Sequence, residues 1–135
     1  SGGFSYSGSG VAEGDMLMYD GFDWIPVSGP TLTWTIGEDG TNSHYTFTGS
    51  GFVSATNDPI LYLTRGQVYR FKNDSQYVVH PFEIRQSNGG NAYTAGVSSD
   101  GSGTTTFVVP MDAPATLYYQ CTMHPNMGNQ IVIVT

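Results

Sequence analysis

A short stretch near the end of the chain holds three side chains that bind soft metal ions. The only cysteine, Cys121, is followed three residues later by His124 and three residues after that by Met127. A thiolate, an imidazole and a thioether suit copper better than calcium or magnesium, which prefer oxygen ligands. His80, at the end of an apolar run, is a candidate second imidazole. We therefore predict that one copper ion lies in the plane of His80, Cys121 and His124, with Met127 as a long axial ligand.

Each of these residues has a simpler interpretation when it is taken alone. A lone cysteine is usually an inert buried thiol, and methionines commonly fill gaps in cores. The combination favours a metal site, because the order is His, Cys, His, Met and the last three fall in one turn between two strand-like runs. Zinc is the main inorganic alternative, but zinc favours tetrahedral sets of thiolates and imidazoles, and a methionine is a poor fourth ligand.

The region 31–135 resembles the cupredoxins, the small blue copper proteins. Its most specific part is Cys121-Thr-Met-His-Pro-Asn-Met127, which is similar to the short Cys-x-x-His-x-x-Met loop of amicyanin. The resemblance implies one type 1 copper ion and electron transfer through the exposed ring edge of His124. The chain departs from the family at one place. Many small cupredoxins follow the first histidine with an Asn that braces the ligand loop, whereas Pro81 follows His80 here.

His80-Pro-Phe82 is also similar to the start of a multicopper oxidase motif, but the chain lacks the rest of that machinery. Those enzymes continue His-Pro-x-His, whereas Glu83 stands at that position. The third histidine, His44, is expected to be a solvated strand residue without a ligand partner. Oxygen reduction and a dinuclear purple copper centre, which needs a second cysteine, are therefore excluded. The chain also has no Ser-His-Asp grouping and no phosphate-binding Gly-rich motif, so we predict an electron carrier or binding module rather than an enzyme.

Composition and charge limit the class of protein and its partners. The chain has 135 residues, the length of a single domain, and it contains 18 Gly and 9 Tyr. It is rich in residues that favour strands and turns. The formal net charge is −7, and the pI is about 4.4. Binding to nucleic acid or to an anionic membrane requires a basic face, so we predict neither as a partner.

Short strand-like runs separated by turn signals follow one another through most of the chain, and no window has a convincing helical period. This pattern predicts an all-β fold, a two-sheet Greek-key sandwich or barrel, which the resemblance identifies as the cupredoxin type. The predicted strands are 31–36, 43–48, 60–63, 67–71, 77–86 (which carries His80), 104–109, 115–121 and 131–135.

The N-terminal residues differ from the rest, so we predict a division into residues 1–29, a Gly/Ser-rich linker with an extension hairpin, and a cupredoxin domain at 30–135. The sequence pattern of residues 15–25 predicts two short strands around an Asp-Gly turn. The segment Gly14-Asp-Met-Leu-Met-Tyr-Asp-Gly-Phe-Asp-Trp24 is similar to segments of phage tail fibres and virion appendages. A hairpin that merely covers a sheet edge is the alternative.

The first residues contain no charged leader with an apolar core. We expect that a leader has been removed or that the chain belongs to a longer polypeptide or a virion assembly. The expected location is extracellular, virion or periplasmic.

The ligand loop is predicted to be a neutral docking surface. No Asp, Glu, Lys or Arg follows Asp112. Pro114, Met123, Pro125 and Asn126 are the expected rim, and a redox partner protein is predicted to dock near His124, as in weak electron-transfer encounters. The alternative is that these residues only pack the end of the sandwich. Two functions remain open: a one-electron carrier, or a structural or interaction module of a virion or surface protein in which copper mainly stabilises the fold.

Overall fold

The computed structural model describes residues 17–19, 24–26, 31–76 and 78–135. Their regular structure consists of β-strands, and none of the described segments is helical. The strands are β1 (Leu17–Tyr19), β2 (Trp24–Pro26), β3 (Leu32–Glu38), β4 (Tyr45–Gly49), β5 (Phe52–Asn57), β6 (Leu61–Thr64), β7 (Val68–Asn73), β8 (Phe82–Arg85), β9 (Val97–Ser99), β10 (Thr104–Val108), β11 (Thr116–Cys121) and β12 (Gly128–Val134).

The strands from β3 onward form two mixed sheets. One has six strands in the order β5-β4-β3-β7-β10-β9, and the other has four in the order β6-β12-β11-β8. The β3–β7 and β6–β12 pairs are parallel, and the remaining pairs are antiparallel. The chain changes sheet after β5, β6, β7, β8 and β10, which is the long-range connectivity of a Greek-key sandwich. The prediction of an all-β, two-sheet fold is confirmed.

Both sheets contribute aromatic and aliphatic side chains to one core. Strand β3 turns Trp34 and Ile36 inward, and β11 does the same with Leu117 and Tyr119, as the two-residue period of a strand requires. Fully burying a large apolar side chain stabilises a fold by about 1.5–3 kcal/mol. The core therefore fixes the register of the strands that end at the ligand loop. Its largest fully buried aromatic residues are Tyr45, Phe47, Phe71, Phe107 and Tyr119.

The strand predicted at 77–86 is wrong over its first part. His80 lies in a turn, and β8 begins only at Phe82. The amide groups of Val79 and His80 both donate to the carbonyl of Gln76, at 2.8 and 2.9 Å, and this closes a tight turn. Pro81 then has no N–H to give to a ladder. Two edge strands, β5 and β9, were not predicted, because their partly exposed sequences carry little apolar alternation.

The predicted N-terminal hairpin has paired strands. Leu17 lies opposite Pro26, Met18 opposite Ile25 and Tyr19 opposite Trp24 in an antiparallel register. The Asp-Gly turn at residues 20–21 and the linker predicted at the start of the chain lie outside the described residues. The division at residue 29 stays a prediction.

Candidate metal centre

The pairing of β8 with β11 brings two of the predicted ligands together. Cys121, the last residue of β11, lies opposite Phe82, the first residue of β8. His80 precedes Phe82 by two residues, so its turn lies at the same end of the sheet as the thiol. The loop between β11 and β12 supplies His124, and Met127 is the residue immediately before β12. The turn before β8, the end of β11 and the short loop between β11 and β12 therefore carry all four predicted ligands.

Three side chains converge with the separations that a single ion requires. The Nδ1 atoms of His80 and His124 are 3.1 Å apart. The Sγ atom of Cys121 lies 3.5 Å from Nδ1 of His124 and 4.0 Å from Nδ1 of His80. With metal–nitrogen bonds of about 2.0 Å and a metal–sulfur bond of about 2.3 Å, ligand atoms around one ion lie about 3.1–4.0 Å apart when the angles at the ion are about 100–140°. The cluster of His80, Cys121 and His124 thus has the size of a mononuclear trigonal site.

The donor chemistry fits type 1 copper. One thiolate and two imidazoles in a triangle, with a thioether on the same loop, form the ligand set that copper uses in electron-transfer sites. Cys121 is the only cysteine of the chain, so a structural zinc site with several thiolates cannot form within it. Met127 is fully buried, and it lies on the same loop as His124. Axial ligation by its sulfur stays a prediction.

The four candidate ligands differ in their access to solvent. Cys121 and Met127 are fully buried, and His80 is only 5% exposed. His124 is partly exposed. The expectation that His124 is the more accessible imidazole and His80 the buried one is confirmed.

Backbone hydrogen bonds fix the shape of the ligand loop. The amide of Met127 donates to the carbonyl of His124 at 2.9 Å, and the amide of Cys121 donates to the carbonyl of Met127 at 2.9 Å. The amide of Thr122 donates to the carbonyl of Pro81 at 3.0 Å, which ties this loop to the turn of His80. The ligand positions are therefore set by the protein itself.

Two side chains from the six-stranded sheet hold the turn of His80. The Tyr45 hydroxyl and Nδ2 of Asn73 both donate to the His80 carbonyl, at 2.8 and 2.7 Å. The Oδ1 atom of Asn73 accepts from the amide of Ser75 at 3.0 Å and from the Ser75 hydroxyl. These contacts hold the backbone of the His80 turn. The link from this turn to the ligand loop is accepted by the carbonyl of Pro81, so the missing N–H of proline does not weaken it.

Tyr45 is also an electrostatic neighbour of the thiolate. Its burial raises the pKa of the phenol far above the ordinary value, and the charge of Cys121 and a hydrogen bond with it act in the same direction. The phenol therefore stays neutral and keeps its proton as a donor. Burial likewise raises the pKa of Tyr119, whose hydroxyl donates to the carbonyl of Pro59 at 2.7 Å.

Asp58 is a part-buried carboxylate that contacts Gly128, the neighbour of Met127, and its side chain is 12% exposed. Burial raises its pKa above the ordinary value, against the opposing effects of His44 and of the amides of Tyr45 and Gly128. The Nδ1 atom of His44 lies 2.8 Å from Oδ2 of Asp58. His44 was expected within a strand, but it lies immediately before β4, and its side chain, which is 44% exposed, pairs with an acid fourteen positions later.

Little in the sequence pointed to the residues that support the candidate ligands, which are Tyr45, Asn73, Asp58 and Gly128. Gly128 carried one usable signal, since it follows Met127 directly. Its φ is +149°, and a Cβ there would lie 2.1 Å from the carbonyl oxygen of Tyr119. Only glycine fits between the ligand loop and β12.

The residues next to the two histidines in sequence are exposed and uncharged. Met123 is 59% exposed, Val78 is 72% exposed and Val79 is 42% exposed, and Pro125 and Asn126 are exposed as well. The placement of Pro114 in this rim is wrong. Pro114 precedes the first residue of β11, whereas Cys121 is its last. At about 3.3 Å per residue the two lie at opposite ends of that strand.

The comparisons with known proteins give matches among solved structures alone. No protein-family model matches the chain, and no curated protein sequence matches it. A point mutant of rusticyanin has 18% identity and a TM-score of 0.46 over 90% of this chain and 89% of that chain. Rusticyanin from Thiobacillus ferrooxidans has 20% identity and a TM-score of 0.46 over 79% of each chain. A further structure, described as the copper protein rusticyanin, has 17% identity and a TM-score of 0.47, covering 79% and 80%.

Matches at this level of similarity say nothing about the chemistry of the site, which rests on the side chains of this chain.

Within the described residues there is no helix with the length and apolar character that a membrane span requires.

Proposed function

We propose that this chain binds one type 1 copper ion through His80, Cys121 and His124, with Met127 as the axial ligand, and that it carries single electrons. The observation that carries the proposal is the convergence of one thiol sulfur and two imidazole nitrogens to within 4.8 Å of one another. Bound copper would supply one-electron exchange between Cu(II) and Cu(I). The protein's part is to hold these ligands in an arrangement that suits both oxidation states.

The ligand supports favour a carrier. Cys121 ends a strand, Met127 adjoins another, and the Thr122–Pro81 hydrogen bond joins the two ligand segments. Ligands fixed in this way need little rearrangement when the charge of the ion changes. The buried side of the site excludes water, and the partly exposed ring of His124 leaves one route to the surface.

We propose that a redox partner protein docks on the rim around His124. Val78, Val79 and Met123 give this rim an apolar character, and the chain after Asp112 has no charged side chain. A small neutral surface suits brief encounters. The net charge of −7 favours a basic partner at longer range. The unit that performs this function is proposed to be residues 30–135, with an amicyanin-like loop, in an extracellular or periplasmic setting.

A visible spectrum tests copper binding. Purified protein loaded with copper should be intensely blue or green, and Cys121→Ser should abolish the colour because the thiolate charge-transfer band is lost. Met111→Ser, at an exposed methionine outside the ligand loop, is the matched control and should keep it. A colourless wild type that binds only zinc would defeat the proposal.

Electron exchange separates the carrier from a structural copper module. A carrier should exchange electrons rapidly with a soluble redox protein. A module in which copper only stabilises the fold, for example on a virion appendage, should show a large rise in melting temperature on copper loading and slow exchange. Slow exchange in a blue, copper-loaded protein would therefore reject electron transfer while leaving copper binding intact.

A further inference from the structure

Asp58 makes an unusual number of hydrogen bonds for one residue. Its Oδ1 atom accepts from the amides of Tyr45, at 3.0 Å, and Gly128, at 3.1 Å. Its amide donates to the carbonyl of Tyr45 at 2.8 Å, and its carbonyl accepts from Nδ2 of Asn129 at 2.7 Å. His44 contacts the second carboxylate oxygen at 2.8 Å. An ionised carboxylate only accepts hydrogen bonds, so when Asp58 is ionised His44 is the donor in that pair.

These contacts join the two sheets at the end that carries the metal ligands. Tyr45 begins β4 in the six-stranded sheet, and Gly128 begins β12 in the four-stranded sheet. Asp58 lies between them, in the link from β5 to β6, with a φ of +39°. A left-handed backbone at a residue other than glycine is sparsely populated and persists where the surroundings hold it.

Each segment that Asp58 holds leads directly to a predicted ligand. The hydroxyl of Tyr45 donates to the carbonyl of His80, and Gly128 is bonded to Met127. Oδ1 of Asp58 therefore fixes the distance between Tyr45, which supports His80, and Gly128, which follows the ligand loop. Hydrogen bonds to an ionised acceptor are stronger than neutral ones, so this joint is stiff.

We infer that Asp58 is a positioning residue that aligns the His80 side of the copper site with the Met127 side, through the amides of Tyr45 and Gly128. This inference rests on the proposed function, and it adds a control on ligand geometry from outside the ligand set. His44 holds the second oxygen and so fixes the direction of the carboxylate.

Two substitutions at Asp58 separate its hydrogen bonds from its charge. Asp58→Asn keeps an acceptor oxygen for both amides and removes the charge. Asp58→Gly removes the acceptor, and glycine accepts the left-handed backbone without strain. Asp112→Gly removes one charge at an exposed site beyond the other end of β11 and is the control.

In copper-loaded protein, Asp58→Gly should lower copper affinity about 10- to 100-fold, the usual cost of losing a residue that orients ligands. It should also shift the visible and paramagnetic resonance spectra, whereas Asp58→Asn and Asp112→Gly should keep both close to wild type. Equal spectra and affinity in Asp58→Gly and wild type would overturn the inference.

Amide hydrogen exchange in the copper-free protein gives a readout that does not depend on copper. In wild type the amides of Tyr45 and Gly128 should both be protected, and both should lose that protection in Asp58→Gly but not in Asp58→Asn. Fast exchange of the Gly128 amide in wild type would also overturn the inference, even if Asp58→Gly does not fold. The two proposals can fail separately. If the wild type does not bind copper, but both amides lose protection in Asp58→Gly, the proposed function is rejected and the positioning role of Asp58 is retained.

Discussion

At the scale of single residues, the candidate site is a cluster of one thiol, two imidazoles and one thioether, a combination that metal binding explains better than core packing does. A buried thiol, a buried imidazole and a partly exposed imidazole lie within 4.8 Å of one another, and a buried methionine closes their loop. In the proposed copper site the thiol and the two imidazoles would supply the strong bonds. The thioether is proposed to be the weak axial ligand, which tunes the reduction potential.

Met127→Leu tests the axial ligand. Leucine has a similar volume and no sulfur, so copper should remain bound in the triangle of His80, Cys121 and His124. We expect the reduction potential to rise because the thioether no longer donates to the oxidised ion. Voltammetry of the copper-loaded protein measures this directly, with Met111→Leu as the control at an exposed methionine. An unchanged potential in Met127→Leu would count against axial ligation.

The part-buried carboxylate of Asp58 should make stability depend on pH. Burial raises its pKa in the folded state above 3.8. A raised carboxyl pKa gives stability that is fully present below the unfolded pKa and is lost as pH rises through the folded pKa. The free energy of unfolding of copper-free wild type, relative to Asp58→Asn, should therefore fall from below about pH 4 until Asp58 is ionised and then level off. Urea titrations over that range measure the difference, and a constant difference would contradict it.

The candidate metal ligands could be singled out from the sequence because their chemistry is local and distinctive. Cys121, His124 and Met127 share one loop, and His80 was the best remaining imidazole. Their supports were not predictable in the same way. Tyr45, Asn73 and Asp58 are ordinary residue types that reach the site only through strand pairing and turns, and a linear sequence does not contain that geometry.

At the scale of elements, periodicity located the central strands and missed both edges of the six-stranded sheet. Strands β3 and β12 and the first part of β11 alternate buried residues with less buried ones, which the sequence displays directly. Strand β5 is exposed along most of its length, so its side chains carry no such pattern. The turn of His80 was mistaken for strand because its valines favour strands, whereas the convergence of two amides on the Gln76 carbonyl bends the chain.

The junction between the ligand loop and β12 gives a test at this scale. Gly128→Ala would place a Cβ against the Tyr119 carbonyl in a left-handed backbone, so we expect a loss of about 3 kcal/mol or more in the free energy of unfolding. Gly40→Ala is matched, since Gly40 also has a positive φ but has nothing within 4 Å of its Cβ position. It should cost only about 1–2 kcal/mol. If chemical denaturation gave the same loss of unfolding free energy for both variants, the contact with the Tyr119 carbonyl would not be the cause of the cost at Gly128.

At the scale of the whole molecule, the net charge contrasts with the neutral character of the proposed docking rim. The net charge is −7, yet the exposed rim of Val78, Val79 and Met123 around His124 is uncharged. A charged body with a neutral contact surface attracts partners of opposite sign from a distance and leaves the final contact to apolar packing. Binding would then be fast and short-lived, as repeated electron exchange requires.

The ionic strength dependence of electron exchange tests this separation. The rate with a cationic inorganic redox complex should fall about tenfold as salt rises from low values to about 0.15 M, because the Debye length shortens to about 8 Å. An anionic complex should respond in the opposite direction. Stopped-flow measurements on copper-loaded protein give both rates, and Met123→Lys on the rim should weaken both trends by adding a positive charge beside the port. If both complexes responded to salt in the same direction, long-range steering by the net charge would be rejected, and the neutral rim alone would have to account for partner choice.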